Sequence, residues 1–351
     1  MTVHLISVGL SIRDALKDRD TRLRKLGDKP ELIAAIGRAE PWNLLVNEAG
    51  ISDPPRDGDR KVADAWMAEA LTGSDPAKTG RLSEVAAAIR PQDWPLDMSA
   101  ELETFALAAR VEKFSLDAGD IAVFICSDTP PGLLAGVWNA LGLTRGELFR
   151  VRYAGKPGNL PGDLRGHAVL VRITGMDAGS SAGFGEAMDG LGLLARELFV
   201  KGKLRRAEEF RFYLSGGFKA AIPYLIGLAE AVHSVDKQCL DDIHVADLMP
   251  KDGLPYPVTA WVLHDTAGTR ASGGALIPPI RLPLRRLIAE SVREELTGYD
   301  DTTRRRTGKP VTPLLEGYAY EVAPDGRTCE LTPFGVGLRA LFGMTPEGTL
   351  G

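Results

Sequence analysis

Three cysteines and five histidines in 351 residues are few, and that scarcity excludes several chemistries at once. Cys126, Cys239 and Cys329 are far apart and form no C-x-x-C pair, so neither a disulfide framework nor a cysteine-based zinc site is expected. Cys126, within an apolar run, reads as a small buried hydrophobe. His4, His167, His233, His244 and His264 fall in no H-E-x-x-H and no short Cys/His cluster, so no metal is expected. No uninterrupted apolar run approaches the ~20 residues that cross a bilayer. The amino-terminal stretch lacks the basic region and long apolar segment of a signal peptide. A soluble protein of a reducing cytoplasm is therefore expected, without membrane contact. A serine-hydrolase elbow is not expected either. The net charge of −5 and pI near 5.7 argue against a general nucleic-acid coating protein, and leave room for a local basic pocket.

What the chain does have is small, polar strand-to-helix junctions. Glu209 to Leu214 alternates and is aromatic, as a strand does. Ala220 to His233 is apolar at helical spacing. Between them Gly216 and Gly217 permit a tight turn. Lys219 then falls in the first helical turn, where the macrodipole disfavours cations. An anion bound at that helix end would explain it, and a merely solvated lysine is the plain alternative. His4 to Val8 is a short apolar strand running into Gly9-Leu10-Ser11 and a helix. Ile121 to Cys126 runs into Ser127-Asp128-Thr129-Pro130-Pro131-Gly132 and a helix from Leu133 to Leu143. Asp128 or Thr129 can cap that helix, with proline welcome at its first position. Three such junctions predict an open, mainly parallel α/β sheet with its ligand outside the carboxyl ends of the strands. None is a P-loop or a G-x-G-x-x-G, so no ordinary nucleotide cofactor is expected. Ser11 reads either as a helix cap or, with Lys219 on the same rim, as part of a phosphodiester site.

Residues 26–97 read as an insertion or lid, helical in patches and broken by loops. Further helices are expected over Ser99–Phe114 and Phe184–Val200, and strands over Glu147–Tyr153 and Ala168–Ile173. The Lys201–Arg206 cluster reads as a solvated helix end. Thr259–His264 and Gly274–Leu282 suggest a terminal hairpin. A boundary is placed near Pro283. Beyond it come a helix (285–296), a charged linker containing Arg304-Arg305-Arg306 and Lys309, a hairpin around Pro324-Asp325-Gly326, and a last helix over Pro333–Phe342.

Ser215-Gly216-Gly217-Phe218-Lys219-Ala220, followed by Ile222-Pro223-Tyr224, resembles the signature of CARF domains, the CRISPR-associated Rossmann fold. It is similar, more narrowly, to the branch of stand-alone ring nucleases. Ser7-Val8-Gly9-Leu10-Ser11 resembles the family's first-strand motif. Ser99-Ala100-Glu101-Leu102 resembles the segment before the next strand, and Ser127-Asp128-Thr129 with Gly132 the loop after it. The resemblance covers residues 1–284, leaving 285–351 as a small α+β extension. Leu10 departs from it, standing where the family often has a small hydroxylated residue, and so does the long 26–97 segment.

The resemblance implies a Rossmann-like homodimer that binds cyclic oligoadenylate of type III CRISPR signalling, most simply cyclic tetra-adenylate, across its two-fold axis. It implies metal-independent ring opening, in which a ribose 2′-hydroxyl attacks the neighbouring phosphate. Lys219 and Ser11 would be catalytic. Gly9, Leu10, Ser127, Asp128, Thr129, Gly132, Ser215, Gly216, Gly217 and Phe218 would line the ligand. The alternative is a sensor whose 285–351 segment is the effector. That segment would be a winged-helix regulator contacting DNA or RNA, or a small ribonuclease; a plain dimer cap is its third reading.

Overall fold

A computed structural model describes residues 1–17, 51, 58–176, 181–200, 209–217, 221–234, 258–263, 278–284, 289–300, 302–310, 315–317 and 319–341. The chain divides into two compact units. The first comprises Met1–Ile173, Arg211–Lys219 and Ala260–Leu282. The second comprises Thr174–Phe210, Ala220–Thr259 and Pro283–Gly351.

Among the described residues the main sheet has seven strands: β1 (Thr2–Ser7), β2 (Ile121–Ser127), β3 (Val151–Ala154), β4 (Ala168–Ile173), β5 (Glu209–Tyr213), β6 (Val258–Val262) and β7 (Ile280–Leu282). Their order is β3-β4-β2-β1-β5-β6-β7. β2 and β4 are almost continuous apolar runs because parallel strands bury both faces. β1 pairs β2 in parallel, with Ser7 opposite Ile125, and β4 pairs both β2 and β3 in parallel. β6 and β7 form an antiparallel ladder, Ala260 opposite Leu282. The fold is therefore mixed α/β around a mainly parallel sheet, as the junctions predict. The strand expected from Glu147 begins later, since Leu148–Arg150 forms a 3-10 turn ahead of β3.

Among the described residues, five helices belong to the first unit: α1 (Ser11–Lys17), α2 (Asp59–Thr72), α3 (Pro76–Ile89), α4 (Ala100–Ala109) and α5 (Pro130–Leu143). α5 is apolar almost all round and correspondingly buried, with Trp138 fully enclosed. Thr129 caps it by accepting the Gly132 N–H, and Pro130 and Pro131 occupy its first turn. α4 is shorter than expected, closing at Ala109 where Arg110 turns left-handed (φ 56°). The described part of 26–97 joins the core directly: Trp66 and Met67 of α2 and Leu82, Val85 and Ile89 of α3 share one buried cluster with Ile6, Phe124 and Trp138.

In the second unit α6 (Ser181–Ala195) continues as a π-helical turn over Arg196–Val200. α7 (Ile222–Ser234) and α8 (Ala289–Leu296) follow. A three-stranded antiparallel sheet is ordered β8 (Arg305–Thr307), β10 (Thr328–Leu331), β9 (Tyr320–Val322), and α9 (Pro333–Leu341) completes the unit. The Pro324-Asp325-Gly326 hairpin forms, with Asp325 Oδ1 accepting the Arg327 and Thr328 amides. α6 and α9 cross with backbones touching: a Cβ added to Gly192 would stand 2.4 Å from Gly337 O.

Within the stretch expected as a charged linker, Tyr299–Lys309, a short strand forms over Arg305–Thr307, and the three arginines are bonded. Arg304 pairs Asp189 at 3.0 Å, Arg305 pairs Glu330 at 3.0 Å, and Arg306 pairs the fully buried Glu295 at 2.7 Å. The carboxylates that order this run come from elsewhere in the chain. The Lys201–Arg206 cluster lies outside the described residues.

Candidate functional site

β1 sits between β2 and β5. The chain leaves β1 toward β2 and leaves β5 toward β6, so two neighbouring strands send their connections in opposite directions. In open α/β sheets that reversal leaves a crevice at the carboxyl ends, where ligands bind. The turn after β1 (Val8-Gly9-Leu10) and the turn after β5 (Leu214 to Gly217) meet there. Ser7 Oγ donates to Gly216 O at 2.6 Å. A Cβ on Gly9 would stand 2.6 Å from Gly217 N, and one on Gly216 would stand 2.5 Å from Ser7 O and 2.2 Å from Glu101 Oε1. Gly217 has φ +95°, a conformation that favours glycine. Two turns this close leave room for backbone only.

Glu101, in the first turn of α4, is the centre of this junction. It is 1% exposed. Its Oε1 accepts the Gly9 N–H at 2.5 Å and its Oε2 accepts the Ser11 hydroxyl at 2.7 Å. Ser11 Oγ in turn accepts the Ala100 N–H at 3.1 Å. Ser11 is thus the first residue of α1, and its hydroxyl ties α1 to the start of α4. α4 is held at the same end by Ser99. That side chain caps Leu102 N–H and donates to Asn139 Oδ1 of α5 at 2.6 Å. On the β5 side, Thr104 Oγ1 lies 2.5 Å from Ser215 Oγ, which accepts the Leu263 N–H at 2.7 Å.

The β2 junction lies on the same rim, since β1 and β2 are parallel neighbours. Ser127 Oγ and Thr129 Oγ1 lie 2.8 Å apart. Asp128 does not cap α5. It is buried and holds Arg60 of α2 at 3.1 Å. Gly132 is enclosed, with any Cβ there landing 2.0 Å from Ser127 Oγ. Leu10, in the turn after β1, is 41% exposed. Phe218 and Lys219 lie outside the described residues.

The structure therefore brings Gly9, Ser11, Ser215, Gly216 and Gly217 together, with Ser127, Asp128, Thr129 and Gly132 on the adjoining strand end. A reading of the residues alone misses Glu101, Thr104 and Arg60 as members. The available signal is Glu101 itself, an acid in the first turn of a helix whose cap, Ser99, belongs to the same short motif.

Burial pushes the Cys126 thiol up, and the Glu101 carboxylate adds to the rise. A thiol so protonated is a poor nucleophile. Cys126 is expected to resist iodoacetamide at pH 8 in the native protein and to react after denaturation. Peptide mass spectrometry reads this, and rapid native labelling would contradict the burial.

Among the described residues no three His, Cys, Asp or Glu side chains cluster as a metal site would require, and no helix is long and apolar enough to cross a membrane. A G-x-S-x-G spacing does occur, contrary to expectation, at Gly179 to Gly183; Ser181 opens α6, and residues 177–180 lie outside the described residues. A cavity of about 760 Å³ lies in the second unit, lined by Tyr224, Phe334, Arg305, Glu330 and Glu321 among others. Arg305 and Glu330 neutralise each other there, whereas the rim of the first unit gathers hydroxyls and a carboxylate at a strand reversal. The rim is the better candidate. No protein-family model matches the chain, and no curated protein does.

Proposed function

We propose that the chain binds cyclic tetra-adenylate on the rim that the β1 and β5 turns form together and opens the ring without a metal. The observation that carries this reading is the meeting of the Gly9-Leu10-Ser11 turn with the Ser215-Gly216-Gly217 turn at the strand reversal. Lys219 follows two residues later in the chain. The motif resemblance to CARF domains falls on these same two turns. In this reading the fold is Rossmann-like, and two protomers offer identical rims about a two-fold axis, which suits a ligand of repeated units. An acidic protein binds such an anion through a focused pocket, and Lys219 supplies its charge. The reaction is intramolecular: a ribose 2′-hydroxyl attacks the adjacent phosphorus, and the site orients the ribose and stabilises the developing charge.

The sensor reading, in which residues 285–351 act on nucleic acid, has less support. Arg304, Arg305 and Arg306 are each paired with a carboxylate, which lowers their value as phosphate contacts.

The test uses pure protein in EDTA with cyclic tetra-adenylate. The melting temperature is expected to rise with ligand, because binding to the folded state alone stabilises it by mass action, and linear products are expected to accumulate. An unchanged melting temperature at ligand concentrations far above micromolar would remove the binding claim. Binding with an uncut ring after hours would replace the enzyme with the sensor.

A further inference from the structure

The geometry points to Glu101 as the final acceptor of the proton lost by the attacking hydroxyl, working through Ser11 rather than on the ligand directly. This deepens the proposed function and rests on it.

Three observations lead there. Ser11 Oγ donates its only proton inward, to Glu101 Oε2 at 2.7 Å, and accepts the Ala100 N–H. It therefore has no proton to give to a ligand phosphate and keeps one lone pair for a ligand hydroxyl. Ser11 is half-buried at the rim, so that lone pair is reachable, while Glu101 behind it is sealed from solvent. Finally, no ion-pair partner faces Glu101 among the described residues. Among those residues its donors are the Gly9 amide and the Ser11 hydroxyl.

The step balances as follows. The ribose O2′–H donates to Ser11 Oγ. As O2′ bonds to phosphorus, its proton passes to Ser11 and the proton of Ser11 passes to Glu101 Oε2. The bond from phosphorus to O5′ breaks, its electron pair leaves on O5′, and O5′ takes a proton from water. The products are a 2′,3′-cyclic phosphate and a 5′-hydroxyl. Glu101 later returns its proton to solvent through Ser11. Glu101 is thus a positioning residue and proton store, and Ser11 is the group that touches the ligand.

Glu101→Gln keeps a carbonyl for the Gly9 amide and cannot take the proton. It is expected to bind cyclic tetra-adenylate within about threefold of wild type and to cleave it more slowly by a factor of about 100 or more in single turnover. Ser11→Ala is expected to lose a comparable factor. The double variant should be no slower than the slower single one, since both remove one relay. Cleavage by wild type in mixtures of light and heavy water gives a measurement that needs no variant. Two protons in flight predict a curved dependence on deuterium fraction. Glu101→Gln cutting at the wild-type rate, losses that multiply in the double variant, or a linear solvent dependence would each overturn the relay and leave ring opening intact. A wild type that does not cut the ring overturns the relay together with the function it rests on.

Discussion

Replacing Lys219 with alanine is expected to slow the opening of cyclic tetra-adenylate by a factor on the order of 100 or more, with binding weakened far less. The reason is where charge appears. A phosphorane-like transition state carries more negative charge on its oxygens than the bound ring does. A cation beside it is therefore worth more during reaction than during binding. Lys219 stands in the chain between the left-handed Gly217 and the first turn of α7. Lys219→Arg keeps the charge and is expected to recover part of the rate. Titration calorimetry gives the dissociation constant, and single-turnover cleavage in EDTA gives the rate. Equal cleavage by wild type and Lys219→Ala would strike Lys219 from the catalytic set.

The largest structural effect is expected at Trp138. Its indole is fully enclosed in α5, within the cluster that joins α2, α3 and the sheet. Truncation to alanine leaves a cavity the surrounding helices only partly collapse into, at a cost of about 3–5 kcal/mol. Among the described residues the buried indole Nε1 has no hydrogen-bond partner. Trp138→Phe therefore loses volume and no hydrogen bond, and should cost clearly less than the alanine variant. Urea unfolding followed by circular dichroism measures both. Equal costs for the two variants would mean that the burial of Trp138 is not what stabilises this unit.

How much of this was legible in the chain depends on the range of the interaction concerned. β2 and β4 were legible over 121–126 and 168–173, because a strand buried on both faces needs no pattern beyond an apolar run. The β9–β10 hairpin was legible too, since Asp325 and Gly326 make its turn locally. The Arg304–Arg306 run reads in the chain as part of a charged linker, and the structure bonds it instead. Its partners Asp189, Glu295 and Glu330 belong to α6, α8 and β10, and only the fold brings them near. Of the two caps the residues offer for α5, Asp128 and Thr129, the fold uses Thr129. A choice between capping α5 and holding Arg60 depends on where α2 lies. The rim itself was half legible: its glycines and hydroxyls announce a junction, but the direction in which Ser11 donates is fixed by Glu101, which comes from another helix. Lys219 was read from helix electrostatics and lies outside the described residues.

The touching backbones of α6 and α9 carry a consequence for how the protein is made. α6 leaves the ribosome well before α9, the helix whose Gly337 must lie against Gly192. Until Gly337 emerges, the apolar stripe around Met188 and Leu191 has no native partner from α9 to cover it. A nascent chain in that condition is a client for chaperones and a target for proteases. Stalled or prematurely stopped translation would thus yield a first unit able to build most of its core, attached to a second unit that cannot close.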